Sequence, residues 1–152
     1  MHVTFRESHG LEEVETPYDP GQTPADLVVL SFSDYDLGAF AAGWHRARGR
    51  VGNLPTPVAD FPGEVGRLPT LRLINLVALK HPLSVDTYVD RVLSGAKGIL
   101  IRLIGGESYW PYGLASVQDL ARRRGIALAV LPGDGRPDAR LFIRLNKLQS
   151  IN

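Results

Sequence analysis

Three stretches of the sequence contain residue types that could bind a ligand. Arg102 interrupts an apolar run, the segment 105–113 combines a pair of adjacent glycines with three aromatic residues, and the segment 79–86 contains His81. Whether these residues can act together depends on the strands and helices that hold them.

Arg102 lies inside the apolar run 99–104, which predicts a buried strand. An unpaired charge in a buried strand is strongly unfavourable, so the arginine needs a partner. Two interpretations are open. Arg102 is either half of a buried ion pair or at a strand end near solvent, or it faces a bound ligand.

The segment 105–113 follows this strand and leads into a helix. Ligands of open α/β sheets bind at the carboxyl ends of the strands, and Gly105 and Gly106 would let backbone N–H groups approach a ligand there. Tyr109, Trp110 and Tyr112 offer flat faces with polar groups, which suit stacking on a large planar ring. The alternative is that these aromatic side chains only pack against the fold.

His81 lies in a turn between the apolar run 71–76 and a helix that we predict to be capped by Ser84. In a parallel sheet this turn and the glycine turn share one edge, and we expect their two strands to be adjacent. His81 is either a ligand for a metal or a tetrapyrrole carboxamide, or a solvated turn residue. The four histidines lack metal-ligand spacing, so no metal site is predicted.

Strands and helices alternate along the chain. The predicted strands are 27–30, 71–76, 99–104 and 126–131. We expect the first helix to be capped by Ser33, the last helix to begin at Pro111, and helix ends at Gly49, Gly95 and Gly125. This alternation predicts an α/β fold with a parallel sheet layered between helices, as in flavodoxin-like or Rossmann-like three-layer sandwiches whose strands are covered on both faces.

The chain divides into three predicted parts. Residues 1–22 are a loose N-terminal arm with a short strand at 3–5, residues 23–135 form the α/β domain, and residues 136–152 are an atypical tail. Within the domain, the stretch 50–70 is rich in proline and glycine and is predicted to be a long loop.

Composition excludes several classes of function. The hydrophobic fraction of 44% and charged fraction of 22% are those of a globular protein, and a net charge of +1 makes nucleic acid an unexpected partner. The absence of cysteine excludes disulfides, thiolate metal sites and a cysteine nucleophile. Neither a signal peptide nor a membrane span is present, so we expect the cytoplasm. No phosphate-binding loop or dinucleotide fingerprint occurs.

Four segments resemble the amino-terminal region of the large subunit of aerobic, ATP-dependent cobaltochelatase. They are 21–26, 71–89, 102–113 and 130–134. The resemblance implies a subunit that holds a corrin precursor, hydrogenobyrinic acid a,c-diamide, and inserts cobalt(II) in cobalamin biosynthesis. Two smaller AAA-type subunits hydrolyse Mg-ATP in that family, which agrees with the missing phosphate-binding loop. The H subunit of magnesium chelatase is related and acts on protoporphyrin.

The resemblance gives the candidate residues a ligand class. A corrin or tetrapyrrole would fit the aromatic side chains and the glycine turn. The resemblance also implies that cobalt(II) is a substrate and that this chain holds no cofactor of its own. No catalytic residue is assigned. The predicted substrate-binding residues are His81, Arg102, Gly105, Gly106, Tyr109, Trp110 and Tyr112.

Two features depart from the family. Its polypeptide is several times longer, and the sequence 141–152 does not resemble the family's continuation. We therefore expect a truncated or frameshifted fragment that is inactive alone. The alternative is a stand-alone α/β module that binds a ligand or a protein without catalysis.

Overall fold

The computed structural model describes residues 16–51 and 69–133. The strand predicted at 3–5, most of the stretch 50–70 and the tail 136–152 lie outside the described residues. The elements, in chain order, are β1 (Leu27–Ser31), α1 (Asp34–Val51), β2 (Leu71–Asn75), α2 (Pro82–Arg91), β3 (Gly98–Leu103), α3 (Pro111–Arg124) and β4 (Ala127–Pro132). Short 3-10 turns lie at Leu76–Leu79, Leu93–Gly95 and Glu107–Tyr109.

All four strands belong to one parallel sheet, with the order β2-β1-β3-β4. This confirms the predicted α/β class, and the order is the flavodoxin-like one. The expectation that β2 and β3 are adjacent was wrong, because β1 lies between them. The connection through α2 carries the chain over β1, and no local sequence pattern records such a crossing.

The two faces of the sheet are covered differently. We call the face under α2 and α3 the packed face, since its side chains, such as Leu30, Ile101 and Val130, are buried in one core cluster with residues of both helices. Helix α1 lies on the other face, where it contacts β1 and β2. Alternate residues of each strand therefore meet different helices.

Helix ends follow the capping signals in part. The Ser33 hydroxyl accepts a hydrogen bond from the Asp36 N–H (3.3 Å), which confirms the predicted N-cap of α1. Gly49 does not end this helix, which continues to Val51. Helix α3 begins at Pro111 and ends before Gly125, whose φ of 65° is left-handed, as predicted.

The predicted ends of α2 were wrong. The helix begins at Pro82, and His81 is its cap. Ser84 is buried inside the helix instead. At the other end α2 stops at Arg91, and Gly95 closes the 3-10 turn that follows.

The described end of the predicted N-terminal arm lies against α2. The Tyr18 N–H donates to the Ser84 hydroxyl (2.8 Å), and the Tyr88 hydroxyl donates to the Gln22 side chain (2.6 Å). These two contacts place residues 16–22 on the outside of the packed face. No helix in the described part of the chain is long and apolar enough to cross a membrane.

Candidate functional site

The strand order defines where a crevice must form. From β1 the chain moves to one side, to β2, and then crosses to the other side, to β3. Loops leaving β1 and β3 therefore diverge at the carboxyl edge, which is the edge of the sheet where the parallel strands end. In open α/β folds, ligands bind at this divergence.

A cavity of about 540 Å³ opens beside this point. Phe32, the first residue after β1, and Ile104, the first after β3, both line it. The rings of Phe32 and Tyr109 meet edge to face, with centroids 6.3 Å apart and an angle of 75° between planes. This edge cavity is mostly apolar and also includes Lys80.

The glycine turn positions Tyr109. Gly105 and Gly106 have φ values of 80° and 82°, which side-chain-bearing residues rarely adopt. A Cβ on Gly105 would also overlap the Tyr109 ring. The two glycines are therefore required by the turn and by the ring that lies on it, and Tyr109 is left 66% exposed.

Trp110 is buried, although it comes directly after Tyr109. Only 4% of it is exposed, and its Nε1 donates to the Leu79 carbonyl oxygen (2.9 Å). Its ring lies on Gly113 in the first turn of α3, where a Cβ would overlap it. Of the two interpretations of this aromatic group, packing holds for Trp110, which forms an inner wall of the edge cavity and offers no open face for stacking.

Tyr112 is at the rim of the edge cavity and 47% exposed. Its hydroxyl donates to an Asp86 carboxylate oxygen on α2 (2.7 Å), and this hydrogen bond raises the pKa of the tyrosine. The bond ties α2 to α3, so the two helix starts that border the cavity are held together.

His81 lies outside the edge cavity, in a neighbouring cavity of about 690 Å³ that is lined mostly by residues with polar side chains. Its Nδ1 accepts a hydrogen bond from the Leu83 N–H (3.1 Å) and so caps α2. The other ring nitrogen, Nε2, takes no part in this cap. Val77 and Lys80 line both cavities. The two cavities are therefore neighbours on one edge, as the shared carboxyl edge predicted.

Arg102 is half of an ion pair. Its Nε lies 3.2 Å from a carboxylate oxygen of Asp36 on α1, and the buried Ser31 hydroxyl donates to the same oxygen (3.1 Å). This pair is on the face of the sheet that α1 covers, so Arg102 lines neither edge cavity. The ion-pair interpretation is the one that the structure supports.

The structure therefore brings Tyr109, Trp110 and Tyr112 into one cavity, puts His81 in the next, and separates Arg102 from both. Sequence reasoning missed Phe32 and Lys80. The position of Phe32 directly after a predicted strand was a usable signal, because such residues lie at the ligand-binding edge. In the part of the chain that the structure describes, no three His, Asp or Glu side chains converge to hold a metal ion.

Comparison with known proteins finds two relatives that carry the same name. The chain is 36% identical over 138 residues to the aerobic cobaltochelatase subunit CobN of a Sinorhizobium species, and 42% identical over 141 residues to CobN of Pseudomonas aeruginosa. These matches cover 91% and 93% of this chain. The chain is a homologue of one segment of CobN.

The chain spans only about a tenth of the curated relatives it matches, 9% and 10% of their lengths. No protein-family model matches the chain, and no solved structure matches it. The resemblance noted from the sequence is confirmed, and the similarity applies to one segment of a much longer polypeptide.

Proposed function

We propose that this chain is a part of the large subunit of an aerobic cobaltochelatase, which inserts cobalt(II) into hydrogenobyrinic acid a,c-diamide during cobalamin biosynthesis in the cytoplasm. The observation that carries the proposal is the identity of 36% and 42% to CobN over nearly the whole chain. Cobalt(II) is a substrate in this proposal, and AAA-type partner subunits hydrolyse Mg-ATP.

In this proposal the carboxyl edge forms one wall of the tetrapyrrole cleft. Support comes from the exposed ring of Tyr109, which the glycine turn holds at the mouth of an apolar cavity of about 540 Å³. Aromatic faces suit a large flat macrocycle, and the Lys80 and His81 side chains beside them suit its peripheral carboxylate and carboxamide groups.

A single wall leaves much of the ring in water. We therefore expect the isolated chain to bind the corrin precursor weakly, with a dissociation constant of about 10⁻⁶ to 10⁻⁴ M. We also expect no cobalt insertion by this chain alone, with or without ATP.

The binding test is a titration of hydrogenobyrinic acid a,c-diamide followed by the ring's own absorbance. Tyr109→Ala is expected to weaken binding by about 1 to 2 kcal/mol, because it removes an exposed aromatic contact. Arg124→Ala, at the far end of α3, is the control and is expected to leave affinity unchanged. Binding that ignores Tyr109, Tyr112 and His81 together would place the ring elsewhere.

The alternative to this proposal is a stand-alone α/β binding module without catalysis. The discriminating experiment is to sequence the gene beyond the codon for Asn152. An in-frame sequence similar to CobN supports the chelatase subunit, whereas a stop codon at the same position in many related genes supports the module.

A further inference from the structure

The cavity of about 690 Å³ that is lined by His81, Asp34 and Asn75, here called the His81 cavity, differs in chemistry from the edge cavity beside it. Most of its lining residues have a hydroxyl, an amide, an imidazole or a charge, whereas the edge cavity is lined mainly by apolar and aromatic residues. Val77 and Lys80 line both cavities. A flat ligand in the edge cavity would therefore extend its peripheral groups into the His81 cavity.

The capping bond of α2 determines which nitrogen of His81 carries a proton. Nδ1 accepts a hydrogen bond from the Leu83 N–H (3.1 Å), so Nδ1 has no proton and the ring proton is on Nε2. Within the described ranges, Nε2 has no hydrogen-bond partner. His81 therefore adds an N–H donor to the lining of the cavity.

Asp34 contributes the only carboxylate among the described residues that line the His81 cavity. Asn75 orients it. The Asn75 Oδ1 accepts from the Val77 N–H (2.9 Å), and its Nδ2 donates to Asp34 Oδ1 (2.7 Å) and to the Phe32 carbonyl oxygen (3.4 Å). These bonds tie the ends of β1 and β2 together and hold the carboxylate in place. Because Asp34 is exposed, its second oxygen, Oδ2, can accept a hydrogen bond from a ligand.

Building on the proposed function, we propose that the His81 cavity binds a carboxamide group of the macrocycle and that Asp34 distinguishes this group from a carboxylate. A primary carboxamide can accept from His81 Nε2 while it donates to Asp34. A carboxylate has acceptors only, and the charge of Asp34 repels it. Lys80 and Asp34 contribute charges of opposite sign, so their sum does not attract an anion.

The first test compares hydrogenobyrinic acid a,c-diamide with unamidated hydrogenobyrinic acid, each titrated into the full chain and followed by the ring's absorbance. We expect the wild-type chain to bind the diamide about ten times more tightly, the effect of one unfavourable charge contact near a protein surface. Asp34→Asn replaces the carboxylate by an amide of the same shape that can donate to a carboxylate. We expect it to bring the two affinities to within about twofold of each other. An unchanged ratio, or a wild-type preference for the unamidated acid, would overturn the proposal.

Two further variants separate recognition from folding. Asp90→Asn removes the same charge from an exposed position on α2 that lines neither cavity, so the ratio is expected to keep its wild-type value. His81→Ser keeps a side-chain oxygen that can cap α2 but removes the Nε2–H donor. We expect it to weaken binding of the diamide about three- to tenfold, with little change in the midpoint of thermal unfolding. A diamide affinity that ignores His81→Ser would overturn the pairing and the proposal with it.

A measurement without the macrocycle keeps failure of this proposal distinct from failure of the proposed function. NMR spectra of the labelled chain are recorded with propionamide and with propionate at millimolar concentration. We expect propionamide to shift the signals of Asp34, Asn75 and the His81 ring, and propionate to shift them less. If neither macrocycle binds but propionamide gives these shifts, the proposed function fails and the carboxamide site holds. If propionamide and propionate shift these signals equally, or neither does, the carboxamide site is overturned whether or not the macrocycles bind.

Discussion

The packed face and the carboxyl edge use the same kinds of aromatic residue for different purposes. On the packed face, Trp110 and Tyr88 are 4% and 2% exposed, and each has its polar atom hydrogen-bonded within the fold. At the edge, Tyr109 and Tyr112 are 66% and 47% exposed. Trp110 and Tyr109 are consecutive in sequence. Burial, and not residue type or position in a loop, therefore separates aromatic residues that stabilise the fold from those available to a ligand.

The largest expected effect is that of Trp110→Ala. It removes a buried indole and leaves the Leu79 carbonyl oxygen without its donor, so we expect a loss of about 3 to 5 kcal/mol in the free energy of unfolding. Urea denaturation measures this loss. Tyr109→Ala is the control and is expected to change stability by less than about 0.5 kcal/mol. If the two variants are equally stable, the distinction between packed face and edge fails.

Gly113→Ala tests the packing of the Trp110 ring by changing the residue on which the ring lies. The added Cβ would overlap the Trp110 ring, and we expect a loss of about 1 to 3 kcal/mol in the free energy of unfolding. Gly38→Ala on α1 is the matched control, because nothing lies within 4 Å of the added Cβ. In that open helical position alanine is expected to stabilise by about 0.5 to 1 kcal/mol. In thermal unfolding, Gly113→Ala should therefore lower the midpoint temperature and Gly38→Ala should raise it.

Arg102 extends the comparison between the packed face and the carboxyl edge. It lies near the carboxyl end of β3, but its ion pair stabilises the fold. Arg102→Leu leaves Asp36, whose side chain is only 18% exposed, without its cation, and we expect a loss of about 1 to 2 kcal/mol. Arg102→Leu combined with Asp36→Leu is expected to recover part of this loss. A double-mutant cycle measured by denaturant unfolding gives the coupling. A coupling energy of zero would contradict the ion-pair interpretation and support a ligand-facing role for Arg102.

The smallest expected effect on stability occurs only at alkaline pH, and it distinguishes the buried Tyr88 from the exposed Tyr112. Burial raises the pKa of Tyr88 well above its ordinary value of 10.0. Since the unfolded state ionises first, the contribution of Tyr88 to stability is complete below about pH 10 and is lost as the pH rises through its folded pKa. We expect Tyr88→Phe to flatten the fall in stability above pH 10, as measured by urea unfolding at several pH values.

Tyr112 provides the contrast in the same titration. Its pKa is raised by the hydrogen bond to Asp86, but its ring is exposed. We expect its ionisation, followed by tyrosinate absorbance, to occur without unfolding, and Asp86→Asn to lower its pKa toward the ordinary value. Loss of circular dichroism in step with Tyr112 ionisation would contradict this.

Much of the fold could be predicted from local sequence, since apolar runs and capping residues act over short distances. Pro111 and Gly125 marked both ends of α3 for this reason. His81 was missed as the cap of α2, because a histidine ring nitrogen can accept the capping hydrogen bond in place of the more usual serine. The strand order could not be predicted from local sequence either, because it depends on how the helical connections cross the sheet.

For the same reason, the sequence indicates where the candidate site lies but not how its side chains are oriented. The edge and its aromatic residues follow from strand ends and turn residues, but the direction of each side chain depends on its neighbours. Gly113 was a usable signal that Trp110 packs inward, since a residue without a side chain in the first helical turn leaves room for a large ring. Arg102 gave no such signal, as its partner Asp36 is 66 residues away in the chain.

The central position of β1 has a consequence for the order of folding. This strand leaves the ribosome first among the described strands, but both of its hydrogen-bonding partners, Leu71–Asn75 and Gly98–Leu103, are synthesised much later. An apolar strand must therefore remain unpaired while at least forty residues follow it, and contacts so distant in sequence slow folding. Among the described elements, α1 directly follows β1 and contacts it, so α1 can shield this strand from other nascent chains during that interval.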